Sequence, residues 1–307
     1  MAERIEQQAE PPGPVGLAEE TGSEQVNLGT FIFENNRRNG KVSIRASKTD
    51  SPLLLDGIIA RVGRKPTTAE KREYKEENAF WQPWLLRNPE VLSEEFEHTD
   101  NGFRLTRQVR FQREEVPGQA IEGSVVYEIN TRGWIDVSYD LKPVNATGYF
   151  LEAGFSLLLP EEMTQVRWLG KGPYASYPGK TALNNWGLHG IASGDLNYDG
   201  NRAQVEAVSV TGPMGKGVAL LSEGSDIAWE QSLDGIVLSQ NACVSGRGTK
   251  VNKTQYEVPA GEVESIQGSF RLVPLVEESW PRALLDLFGP PESAIRPLQP
   301  YLLPYSE

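Results

Sequence analysis

The sequence predicts an all-β protein, a large antiparallel β-sandwich with short peripheral helices. Three observations carry this. From Thr30 onward the chain is a succession of short stretches rich in β-branched and aromatic residues, alternating apolar with polar and punctuated by Gly, Pro, Asn and Asp, the pattern of strands with one buried face. More than a dozen such stretches follow one another with little helix between them, and only antiparallel pairs can be joined by short connections. Seven Trp, ten Tyr and ten Phe in 307 residues supply a substantial core although only 38% of residues are apolar, which excludes a disordered chain or a fibre.

Taken in order, residues 1–26 hold six Glu against one Arg and a Pro-Pro-Gly-Pro cluster at 11–14, and are expected to form a disordered acidic leader. Strands are expected at TFIFE (30–34), KVSIRA (41–46), FRLTRQVRFQ (103–112), GSVVYEI (123–129), GWIDVSYDLKP (133–143) and FLEAGFSLLL (150–159). Further strands are expected at TQVRWLG (164–170), QVEAVSVTG (204–212), GVALLS (217–222), DIAWEQS (226–232), GIVLSQ (235–240), TQYEVP (254–259) and VESIQGSFRLVP (263–274). Thr67 and Glu70 have the reciprocal spacing of a capping box, so a helix of about two or three solvated turns should follow Pro66. SWPRALLDLFGPPES (279–293) fits a short amphipathic helix stopped by Gly289-Pro290-Pro291. The expected organisation is a leader over 1–26, one sandwich over 27–275, and a C-terminal helix and tail over 276–307.

Lys and Arg number 30 against 42 Asp and Glu, a net charge of −12. Such a balance argues against nucleic acid, which needs a basic face. Cys243 is the only cysteine, so an internal disulfide framework and any multi-cysteine metal site are excluded. The opening twenty residues lack the apolar core of a secretory signal and no apolar run is long enough to span a bilayer, so no membrane partner is expected and the cytosol is the expected compartment. Two glycosylation sequons, at Asn145 and Asn252, then read as chance matches.

Most motifs for chemistry fail. Gly179-Lys180-Thr181 resembles the end of a phosphate loop, but the glycine that loop requires is replaced by Tyr174. The only histidines, His98 and His189, stand far apart and leave little for a metal site or a histidine triad. His98 reads as a solvated hairpin tip, and His189 first as an ordinary loop histidine, second as a ligand contact. Acids are plentiful, but glycosidase chemistry needs two at a defined separation, which sequence distance in a β-rich chain does not report. No catalytic residue, metal ligand or cofactor is assigned.

The aromatics say more. Phe80-Trp81-Gln82-Pro83-Trp84 sets two indoles beside a proline, and Trp168, Tyr174, Tyr177 and Trp186 follow in a stretch rich in Gly and Pro. Aromatic faces in loops stack on the C–H faces of sugars, whereas in strands they fill cores. Trp168, inside an apolar strand, reads as core; Trp81, Trp84 and Trp186, near turns, divide evenly between core and rim.

At VRWLGKGPYASYPGKT (166–181) the chain resembles the C-terminal, or small-chain, domain of family 2 β-galactosidases. Val166, Trp168, Gly170, Gly172, Pro173, Tyr177 and Pro178 match that family's segment, Gly200-Asn201-Arg202 match its next landmark, and Phe80-Trp81 with Pro83 match half of an upstream one. The resemblance covers roughly residues 28–275. It implies a galactose mutarotase-like supersandwich, with catalytic glutamates on a separate TIM barrel in another part of the enzyme, and so a carbohydrate-binding domain that completes a glycosidase large chain. The implied sugar contacts are Trp81, Trp84, Tyr174, Tyr177 and Trp186, with His189, Asn201 and Arg202; Arg202 would donate to sugar hydroxyls or to neighbouring backbone.

This sequence departs from the family at Ala175, Gly179-Lys180 and Tyr198, where acidic or charged residues are usual, and at Ser245–Lys250, which lacks the family's tryptophan. Two alternatives therefore stand beside the leading expectation. One is a stand-alone mutarotase, epimerase or lyase on the same fold, using an acid–base pair such as His and Glu. The other is a non-catalytic binding or assembly domain.

Overall fold

The computed structural model of the chain describes residues 16–20, 22–73, 79–82, 84–191, 200–246, 256–276 and 282–288. Five strands come first: β1 (Gly16–Glu20), β2 (Ser23–Asn27), β3 (Phe31–Asn36), β4 (Val42–Ala46) and β5 (Pro52–Leu54), paired in chain order as one meander. Strand structure thus begins inside the stretch expected to be a disordered leader. Burial is the reason for β2: Val26 is fully buried, and Glu24 is held by Asn35 Nδ2 at 2.7 Å and by Arg37.

The second sheet has thirteen strands. Its main path joins β6 (Asp56–Val62), β7 (Leu85–Leu86), β8 (Glu90–Thr99), β9 (Gly102–Gln112), β10 (Ala120–Asn130), β11 (Ile135–Val144), β13 (Glu152–Leu159), β17 (Gly217–Ser232), β18 (Gly235–Val244) and β20 (Ile266–Leu275). Their spatial order is β7-β6-β13-β18-β17-β20-β11-β10-β9-β8. β14 (Gln165–Gly172), β15 (Asn185–Ile191) and β16 (Gly200–Thr211) branch from it through the β16–β17 pair, and β12 (Tyr149–Phe150) pairs separately with β19 (Val258–Pro259). Every pairing of named strands is antiparallel, so the all-β antiparallel expectation holds.

Two expected strands, GVALLS and DIAWEQS, are one. β17 runs sixteen residues, pairs β20 through its first half and β18 through its second, and turns at Gly224, whose φ of +78° suits glycine. β8 went unpredicted because it is a charged edge strand with little apolar alternation, the composition that protects an exposed edge. Its end does form the expected tip, where exposed His98 packs on Phe103. Of TQYEVP only Val258–Pro259 is a strand, residues 254 and 255 lying outside the described residues.

The core lies between the curled large sheet and the small one. Period-2 alternation sends Leu105, Val125, Val137, Phe155, Leu238 and Trp229 inward against Val26, Phe33 and Ile44. Helix α1 (Thr68–Glu73) has the expected box: Glu70 N donates to Thr67 Oγ1 at 3.2 Å and Thr67 N donates to Glu70 Oε2 at 2.6 Å. The remainder of the helix expected there, from 74 on, lies outside the described residues. Helix α2 (Arg282–Phe288) buries Leu284 and Phe288 on a second apolar layer with Trp134, Leu221 and Val273.

Candidate functional site

Strands buried on both faces should be apolar on both, and four neighbouring strands break that rule on one face. β6 sends Ile58, Ala60 and Val62 to the core and Arg61 the other way. β13 does the same with Glu152 and Ser156, β18 with Ser239 and Asn241, and β17 with Asp226 and Glu230. The outcome is a buried polar band across the side of the sheet facing away from the core.

Arg61 sits at its centre. Its Nε and Nη2 donate to Glu152 Oε2 at 2.9 and 2.6 Å, and Nη1 donates to Glu230 and, at 3.4 Å, to Ser239 Oγ. Burial pulls against the charge on Arg61, but Glu152 and Glu230 overcome it and hold the guanidinium above its ordinary pKa. Asn241 Nδ2 donates to Glu152 Oε2 and to Asn201 Oδ1, both at 3.1 Å, and Asn201 Nδ2 donates to Asp226 Oδ1 at 2.9 Å. Burial raises the Asp226 carboxyl, Asn201 opposing and Glu152 adding to the rise.

Arg64, just past β6, forms a two-point pair with Glu70, Nη1 to Oε2 at 3.0 Å and Nη2 to Oε1 at 2.9 Å. The capping carboxylate of α1 therefore also fixes Arg64. Burial would raise Glu70, but Arg64 and the Thr67 amide hold it below its usual range; burial would lower Arg64, but Glu70 and Glu152 hold it above.

Over this band lies a recess of about 180 Å³ whose lining includes Arg61, Arg64, Glu152, Glu230, Trp84 and Tyr177. Gly200, also at its wall, has φ of +107°, and a Cβ there would stand 2.7 Å from Tyr177 Oη, so glycine is what lets Tyr177 close over the band. Buried ion networks cost desolvation that apolar residues of similar size would avoid, so they are weak evidence for stability. Perturbed charges in a recess instead mark a candidate binding or catalytic site. Two larger open depressions, about 590 and 810 Å³, share Glu128, Asp136 and Arg271 on a solvent face. There Glu128 is paired with Arg104 and Asp136 with Arg271.

The sequence-predicted contacts divide. Trp84, half-buried, and Tyr177 reach the recess. Trp186, 55% exposed on β15, and Tyr174, 36% exposed, lie on the surface. Four are buried. Trp81 is 2% exposed, its Nε1 donates to Thr147 O at 2.7 Å, and its ring packs on Phe150, so it belongs to the core. Tyr177 is likewise buried, with the Arg64 guanidinium 5.1 Å over its ring, and contributes as wall rather than rim. Asn201 is a member of the polar band. Arg202 is fully buried on the core side between the rings of Trp168 and Trp229, and its Nη1 donates to Gly200 O at 3.1 Å. His189 is a strand residue of β15 rather than a loop one, packed on Trp168 with Nε2 3.1 Å from Asn185 O, and burial lowers its pKa. Tyr198 and residues 247–250, two of the noted departures, lie outside the described residues.

Sequence reasoning missed Arg61, Arg64, Glu152 and Glu230. For Arg61 and Glu152 the available signal was a charge at one alternate position of an otherwise apolar strand, as in GIIARVG and LEAGFSLLL. Among the described residues no group of three or more His, Cys, Asp or Glu is placed to hold a metal, and no helix is long and apolar enough to cross a membrane.

Fold and recess together define a large antiparallel β-supersandwich with a polar pocket on the face away from its core. The chain belongs to the β-galactosidase small chain family, whose model matches residues 28–242. It is 28% identical over 169 residues to a β-galactosidase of Lactobacillus delbrueckii subsp. bulgaricus, covering 54% of this chain and 14% of that protein. With a β-galactosidase of Staphylococcus xylosus it shares 36% identity over 62 residues, 20% of this chain and 6% of the other. The chain thus spans a small fraction of either relative's length. Among solved structures, a putative aldose 1-epimerase of Escherichia coli K12 is similar over 85% of this chain and 99% of its own, at 11% identity and a TM-score of 0.41. A putative mutarotase of Salmonella typhimurium covers 89% of this chain and 98% of its own, at 6% identity and a TM-score of 0.38.

Proposed function

We propose that the chain is a carbohydrate-binding small-chain domain of a family 2 glycosidase, and that it supports hydrolysis of β-galactosides only together with a chain carrying the TIM barrel. The observation that carries this is the family match over residues 28–242 in a chain whose described residues are strands with two short helices. In this reading the exposed side chains of Tyr174, Leu183, Trp186 and Leu188 form the face turned to saccharide or to the large chain. Their number in one short segment supports that role, since exposed apolar side chains that gather into one patch mark interaction surfaces. The compartment is the cytosol, consistent with a single cysteine and therefore no internal disulfide.

The test is co-purification with a barrel-bearing large chain followed by assay on a chromogenic galactoside. Hydrolysis should require both chains; turnover by this chain alone would overturn the proposal. The mutarotase reading has less support, because among the described residues neither His98 nor His189 lines the recess and the acids that do are Glu152 and Glu230, both bound to Arg61. Equilibration of freshly dissolved α-galactose at the buffer rate would end that alternative.

A further inference from the structure

Two side chains that line the recess, Glu152 and Arg64, each carry a buried polar atom without a hydrogen-bond partner among the described residues, Glu152 Oε1 and Arg64 Nε. They stand 3.3 Å apart, close enough for an ion pair but not aligned as N–H···O. The remaining polar atoms of both side chains are committed: Glu152 Oε2 accepts from Arg61 and Asn241, and both Nη atoms of Arg64 donate to Glu70. Glu152 is fully buried and the Arg64 side chain 6% exposed. Unsatisfied donors and acceptors at such depth are rare and call for a physical reason.

A hydroxyl group is the chemistry that answers both, because it accepts from an N–H and donates to a carboxylate through one oxygen. Charged ligands fit worse. An anion would face Glu152 and Glu230, and a cation would face Arg61, Arg64 and Lys65. The recess of about 180 Å³ is room for about six water molecules, a space comparable to one pyranose ring with its hydroxyls. Trp84 at its side offers an apolar surface for a C–H face.

We propose that this recess binds the ring of a single neutral sugar residue, one hydroxyl bridging Glu152 Oε1 and Arg64 Nε and the ring lying against Trp84. The inference rests on the carbohydrate-binding reading above and deepens it by naming the monosaccharide unit and its floor.

The test uses the full chain by itself, titrated with methyl galactoside, methyl glucoside and methyl mannoside up to about 100 mM while tryptophan indole N–H resonances are followed. At least one pyranoside should bind saturably, with a dissociation constant on the order of millimolar, and should shift the Trp84 resonance. Trp84→Ala and Glu152→Gln should each weaken binding at least about tenfold in variants whose circular dichroism matches the wild type. Should neither variant fold, the wild-type resonances decide alone. No saturable binding, meaning a recess that holds only water, would overturn the proposal; so would saturation that moves the Trp186 resonance and leaves Trp84 unchanged. Failure of the assembly reading would show instead in the two-chain galactoside assay, which leaves this titration untouched.

Discussion

Replacing Arg61 by methionine tests whether the polar band is held by charge. The substitution keeps most of the side-chain volume but removes the donors to Glu152 Oε2 at 2.9 and 2.6 Å, the contact to Glu230, and the bond to Ser239. Glu152 is fully buried and the Glu230 side chain 10% exposed, so water from the recess can replace only part of what is lost. Removing one partner of such a pair costs about 3–5 kcal/mol, about a fifth or more of the stability of an ordinary domain. Urea unfolding followed by tryptophan fluorescence at pH 7.5 should show that loss. Replacing Arg61, Glu152 and Glu230 together by methionine should recover most of the deficit, since the three mutually paired charges are then removed together while Arg64 keeps its pair with Glu70. A single variant within about 1 kcal/mol of wild type at pH 7.5, or a triple variant no better than the single, would refute the reasoning.

Asp56 is nearly buried, and burial raises its pKa from 3.8 to about 6, the Ile58 amide opposing. Its neutral form is the one the fold favours, so its contribution is complete below about pH 3.8 and is lost as pH rises through about 6; two units correspond to about 3 kcal/mol. Asp56→Asn should therefore be the more stable protein at pH 8 and should lack that decline, as urea titrations at pH 4 and pH 8 would show. Gly200→Ala places a methyl 2.7 Å from Tyr177 Oη at φ of +107°, which should cost about 1–3 kcal/mol and lower the melting temperature measured by calorimetry. Trp186→Ala, at an exposed position, should leave stability within about 0.5 kcal/mol yet weaken two-chain assembly in a co-purification assay.

Much of the fold was legible locally. Alternation in FRLTRQVRFQ and GWIDVSYDLKP identifies half-buried antiparallel strands because period two is a property of the backbone itself. Thr67 and Glu70 announced α1 because a capping box closes within four residues. The segment around Trp168 placed the chain in its family.

The candidate site was not legible in the same way. Arg61 meets Glu152 across 91 positions and Glu230 across 169, and which strands become neighbours in an antiparallel sheet follows from how the whole sheet closes. The same holds for the aromatics. Trp81 and Trp84 share one local sequence, yet the first is sealed under Phe150 and the second reaches the recess. By itself the sequence determined which residues alternate and where strands turn; only the tertiary structure decided which face is covered and which charges meet, because burial and pairing are set by parts of the chain that no local pattern describes.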